Sequence, residues 1–117
     1  MGKRRLVECG FYIPIRRDKH LSDGELHLTE AWEWLDDRLY EFGGATRSTA
    51  LYFGFYKDRD TNTRVHDQSC RYEVALPPRQ VSRLRSILQE ACAVFQQKCI
   101  YLSVAGYVEF VEGGEDE

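Results

Sequence analysis

Apolar and polar positions alternate from residue 6 to residue 15: Val7, Cys9, Phe11, Ile13 and Ile15 occupy the odd places, Glu8, Gly10 and Tyr12 the even ones. A period of two predicts a strand with one face in a core. Residues 16–27 are mostly polar, with a turn signal at Asp23-Gly24, and are long for a strand-to-helix connection. Over residues 29–42, Trp32, Leu35, Leu39 and Phe42 recur at steps of three and four, the spacing of one helical face. Thr29 suits the N-cap, Glu30 the first turn and Gly43 a left-handed stop.

Next, Leu51, Phe53 and Phe55 alternate with Tyr52, Gly54 and Tyr56, and residues 58–63 have the composition of a hairpin connection. The returning strand carries Cys70, Tyr72, Val74 and Leu76 on one side, Arg71 and Glu73 on the other. Pro77-Pro78 ends it and fits a helix entry, because the first turn has no use for the missing N–H. A second helix follows, with Val81, Leu84, Leu88, Ala91 and Phe95 on one face. Ile100, Leu102, Val104, Val108 and Phe110 keep one phase across Gly106. This favours one long bent strand over a hairpin at Ala105-Gly106, which would set Leu102 against Glu109.

The order strand, helix, strand, strand, helix, strand gives an α+β fold, in which two helices cover one face of a four-stranded sheet. With right-handed crossovers, the compact solution is an antiparallel sheet of order 4-1-3-2. That order resembles the ferredoxin-like βαββαβ sandwich. Residues 99–111, with Phe11-Tyr-Ile-Pro-Ile and Glu41-Phe-Gly-Gly, also resemble small, mostly uncharacterised bacterial proteins; this resemblance brings no catalytic residue with it. The expected core is Phe11, Ile13, Leu35, Leu39, Phe53, Val74, Leu84, Leu88, Leu102 and Val104.

Composition narrows the class. The 117 residues are 43% hydrophobic and 30% charged, which suits one globular domain over residues 1–112 with an acidic tail at 113–117. A net charge of -3 disfavours binding to phosphate backbones, which depends on Lys and Arg displacing counterions. No apolar run is long enough to span a bilayer, and residues 1–5 lack the apolar core of a signal peptide. Cys9, Cys70, Cys92 and Cys99 show no C-x-x-C spacing. The expectation is a cytoplasmic chain with reduced thiols and no membrane.

Candidate chemistry concentrates on tyrosine. If odd positions of the first two strands face the helices, Tyr12, Tyr52, Tyr56, Tyr101 and Tyr107 fall together on the other face, beside Arg71 and opened by Gly10 and Gly54. Tyrosine has high strand propensity and suits a half-wet face, but it is also enriched at interfaces. The leading expectation is therefore a non-catalytic binding or regulatory domain that forms a homodimer through this face or a sheet edge. The alternative is a small enzyme of the dimeric α+β barrel type, with Tyr52, Tyr56, Arg71 and His66 lining a cleft for a small molecule. An RNA-binding family shares the topology and stacks bases on sheet aromatics, but Phe53-Gly-Phe-Tyr lies in the second strand, where that family uses the third. His20, His27 and His66 have no metal-ligand frame, and no motif names a cofactor or a catalytic residue.

Overall fold

The computed structural model describes residues 5–18 and 24–114. The chain order is β1 (Val7–Pro14), α1 (Thr29–Leu39), a 3-10 turn (Tyr40–Phe42), β2 (Thr46–Arg47), β3 (Tyr52–Lys57), β4 (Arg64–Leu76), a second 3-10 turn (Pro78–Gln80), α2 (Val81–Val94), β5 (Cys99–Val104) and β6 (Tyr107–Glu112). Thr29 is the first helical residue of α1, and Leu28 stands at the N-cap without a side-chain bond. Gly43 makes the expected left-handed stop at φ 94°. No helix among the described residues is long and apolar enough to cross a membrane.

The α+β class stands, but the sheet has six strands instead of four. Its order is β2-β4-β1-β5-β6, with β3 also paired to β4, and every pairing is antiparallel. One added strand is β2, which shares the outer edge of β4 with β3. The other is β6. The expected long bent strand is a hairpin after all, turning at Ala105 (φ 51°) and Gly106 (φ 89°). Two consecutive left-handed residues match the right-handed twist of the flanking strands.

Odd residues of β1 face both helices. Cys9, Phe11 and Ile13 are sealed with Leu35 and Leu39 of α1, Leu84, Ile87 and Leu88 of α2, Tyr72, Val74 and Leu76 of β4, and Leu102 of β5. Phe11 and Tyr72 lie opposite each other in the ladder and stack at 5.1 Å, 3° from parallel. The Tyr72 hydroxyl donates to Asp36 Oδ1 (3.3 Å) and accepts from Arg47 Nη1 (3.4 Å), tying α1 and β2 to the sheet.

Phe53 leaves the expected core: it is 65% exposed, and Phe55 is 75% exposed. Their side of the sheet was read correctly, since Phe53 pairs with Gln68 and Phe55 with His66, on the helix-facing side of β4. No helix of the described residues packs over it there. Pairing of β4 with β1 ends at Ser69, so β3 and the first residues of β4 project as a two-stranded arm beyond the helices.

Candidate functional site

The site is built on the even residues of β1. Tyr12 sits opposite Arg71, Tyr52 opposite Ser69, and Tyr101 opposite Phe110, all on the face away from the helices. The Tyr12 ring lies 5.5 Å from Tyr52 at 65° and 5.1 Å from Tyr101 at 63°, and Tyr101 lies 5.9 Å from Phe110 at 80°. These edge-to-face contacts set the positive rim of one ring against the negative face of the next. Ser69 lies on β4 between Tyr52 and Tyr12, small and buried, so the rings meet over it.

Arg71 completes the cluster. Its guanidinium lies 4.9 Å from the centre of the Tyr12 ring, and Nε donates to Glu73 Oε2 at 3.2 Å. Its Nη2 rests where a Cβ on Gly10 would stand. The backbone of Arg71 is fixed as well: its N–H donates to Ser48 Oγ (3.0 Å), and its carbonyl accepts from the Ser48 N–H (2.8 Å).

The arm makes this face concave. Asp58, in the turn beyond β3, lies 3.8 Å from Lys98, just before β5. Because β1 runs between β4 and β5, that contact requires the sheet to coil until the arm tip returns across it. The arm's two sides agree: Val65, on the tyrosine side, is 2% exposed, whereas Phe53 and Phe55 on the other side are open. Tyr56 lies opposite Val65, and Gly54 opposite Asp67. The bare Gly54 leaves room for the Asp67 carboxylate, whose Oδ1 comes within 2.6 Å of where a Cβ would sit. Burial, then the neighbouring Asp18, holds this carboxyl above the usual range.

Of the six residues expected on this face, Tyr12, Tyr52, Tyr56, Arg71 and Tyr101 share it. Tyr107 does not: the two-residue turn pairs it with Val104, on the helix side, where it is 82% exposed. Phe110 takes its place, and reading Ala105-Gly106 as a turn would have found it. His66 also drops out, pairing with Phe55 and packing against Phe53 at 5.5 Å on the far side of the arm. The place of Asp67 on this face and the steric role of Gly10 were missed, although each glycine opposite or beside a long polar residue was the available signal.

The other candidate groups are spent structurally. His27 Nε2 donates to the Pro14 carbonyl at 2.7 Å, and its ring packs on Phe95 and Trp32. Burial lowers its pKa, with Arg17 acting in the same sense and the Pro14 bond against it. His20 lies outside the described residues, among which no group of three His, Cys, Asp or Glu side chains converges. All four cysteines are free. Burial raises each thiol, Cys92 to about 11, which disfavours the thiolate. A depression of about 220 Å³ opens at the arm's root between Arg16, Phe53, His66 and Asp67, and one of about 200 Å³ lies by Asp36, Tyr40, Arg47 and Tyr72. Both are smaller than a typical ligand pocket, and neither is walled by Tyr12, Tyr101 or Arg71.

No protein-family model and no curated protein matches the chain. Solved structures do. A phage SAM lyase in complex with S-methyl-5'-thioadenosine superposes with a TM-score of 0.71 at 10% identity, covering 100% of this chain and 98% of that one. A phage SAM lyase in the apo state gives 0.65 at 12% identity, with both chains covered completely. At such identity the likeness is one of fold. Both neighbours are named as enzymes, which counts against the expectation of a non-catalytic binding or regulatory domain and backs the alternative of a small enzyme better.

Proposed function

We propose that this chain is a lyase acting on S-adenosylmethionine at the concave tyrosine face. The observation that carries the reading is the ordered ring cluster, Tyr12 against Tyr52 and Tyr101 with Arg71 at its side, on a fold that matches a SAM lyase from end to end. The substrate is a sulfonium cation attached to an adenine. Aromatic faces attract a cation through the ring quadrupole and stack a base through dispersion. The Asp67 carboxyl lies on the same face as a hydrogen-bonding group. Cleavage between sulfur and Cγ of the amino-acid chain sends the bonding pair to sulfur while the chain's own α-carboxylate oxygen bonds Cγ and closes a lactone, so the released S-methyl-5'-thioadenosine is neutral and no co-reactant is consumed. Losing the charge weakens its hold on the rings and favours product release.

The test is direct. Purified protein incubated with S-adenosylmethionine should release S-methyl-5'-thioadenosine faster than the spontaneous reaction, measured by chromatography. Tyr12→Ala should lower kcat/KM by about 10- to 100-fold, the loss of one stacking or cation partner. Absence of the product above the spontaneous rate would sink the reading.

The same reading assigns a second copy of the chain to the arm. Leu51, Tyr52, Phe53, Phe55 and Tyr56 are all exposed there, and β3 pairs with β4 alone. Open apolar edges of this kind are covered in stable proteins. The four free cysteines fit a reducing cytoplasm as the setting.

A further inference from the structure

Gly10 stands in the middle of a central strand, where glycine weakens the sheet and offers no side chain to pack. Its backbone gives no reason for it, since the positive-φ glycines of the described chain are Gly43, Gly44 and Gly106. Mid-strand glycines of this sort mark a close approach, and here the approaching group is the Arg71 guanidinium, whose Nη2 occupies the space of a Cβ. Arg71 is thereby laid down on the β1 backbone with only 23% of its side chain exposed. Glu73 engages Nε, and the guanidinium carbon lies 4.9 Å from the centre of the Tyr12 ring. The side chain is ordered before any ligand arrives, which removes most of the entropic cost of engaging it. A guanidinium so held presents a planar fork that matches a carboxylate.

We propose that Gly10 and Arg71 form a carboxylate subsite, making the site selective for adenosyl compounds that retain the α-carboxylate of their amino-acid end. The inference rests on the lyase reading, because it takes that substrate class as given. Gly10 acts as the specificity-determining position by setting where the guanidinium lies. Arg71 makes the contact, beside the ring cluster that holds the rest of the molecule.

The experiment uses three ligands that lack the reactive sulfonium: S-adenosylhomocysteine, its decarboxylated analogue, and S-methyl-5'-thioadenosine, each titrated calorimetrically into the whole protein. Wild type should bind S-adenosylhomocysteine at least about tenfold tighter than the decarboxylated analogue, the usual scale of a charge-assisted pair. Arg71→Gln should bring that ratio close to one while S-methyl-5'-thioadenosine, which has no carboxylate, still binds. Gly10→Ala, which evicts the guanidinium without removing it, should reduce the ratio in the same direction, with circular dichroism confirming the fold of each variant. Any result in which the carboxylate adds nothing in wild type, or in which the ratio survives Arg71→Gln, overturns the subsite. If S-methyl-5'-thioadenosine itself does not bind and no cleavage is seen, it is the lyase reading that fails.

Discussion

Leu102 stands directly opposite Glu109 in the β5–β6 ladder, both on the helix side of the sheet. An apolar core residue facing an acid is tolerated because β6 is an edge strand and α2 reaches out to meet it. Arg85 takes both carboxylate oxygens, Nε to Oε1 at 2.7 Å and Nη2 to Oε2 at 2.9 Å, and holds the carboxyl below its usual range. Both partners remain well exposed, so the pair contributes little. Glu109→Ala should change unfolding free energy by less than about 1 kcal/mol, as read from urea midpoints.

The turn that creates this pair is suboptimal at its first position. Ala105 adopts φ 51°, a conformation that costs an L-residue about 1–2 kcal/mol and that asparagine tolerates better. Ala105→Asn should therefore stabilise the protein by about 0.5–1 kcal/mol. Gly106→Val should destabilise it by more than about 1 kcal/mol. Equal midpoints for the three proteins would mean that the hairpin is not formed as described.

Phe11 and Phe53 should part company under truncation. Phe11 is fully buried against Tyr72, and Phe11→Ala should cost about 3–5 kcal/mol. Phe53 is mostly in solvent, and Phe53→Ala should cost under about 1 kcal/mol. Denaturation at low protein concentration isolates this comparison from association through the arm.

Tyr72 makes stability fall at high pH. Burial, with the Arg47 bond opposing it and Asp36 reinforcing it, raises its pKa to about 12, whereas an unfolded tyrosine ionises near 10. Below pH ~10 the full contribution is present. Between pH ~10 and ~12 the unfolded state gives up its proton first, so roughly 2–3 kcal/mol drains away as pH rises. Tyr72→Phe should lose about 1 kcal/mol at neutral pH with its hydrogen bonds, and should lack this alkaline slope. The difference between the two pH profiles is the measurement, since other groups titrate equally in both.

The arm should govern association. Phe53→Asp with Phe55→Asp places two charges on its open side and should convert an oligomer to a folded monomer in sedimentation at micromolar concentration. Wild type sedimenting as a monomer would remove the second copy from the reading.

Periodicity alone placed the two helices, with Leu35, Leu39, Leu84 and Leu88 inward, and set Tyr12, Tyr52, Tyr56, Arg71 and Tyr101 on one face, because side-chain direction within one element follows from local geometry. Phase does not reveal whether the chain runs on or doubles back: both readings of residues 100–110 keep Ile100, Leu102 and Val104 inward, and only the sheet decides that Tyr107 and Phe110 exchange faces at Ala105-Gly106. Nor does phase say what lies over a face. Phe53 alternates as a core residue does, yet β4 outruns β1 there and the ring stays exposed. The concavity, the carboxyl of Asp67 over Gly54 and the guanidinium of Arg71 over Gly10 all depend on residues distant in sequence meeting across the ladder. Such contacts are set by register and coiling of the whole sheet, which no local pattern encodes.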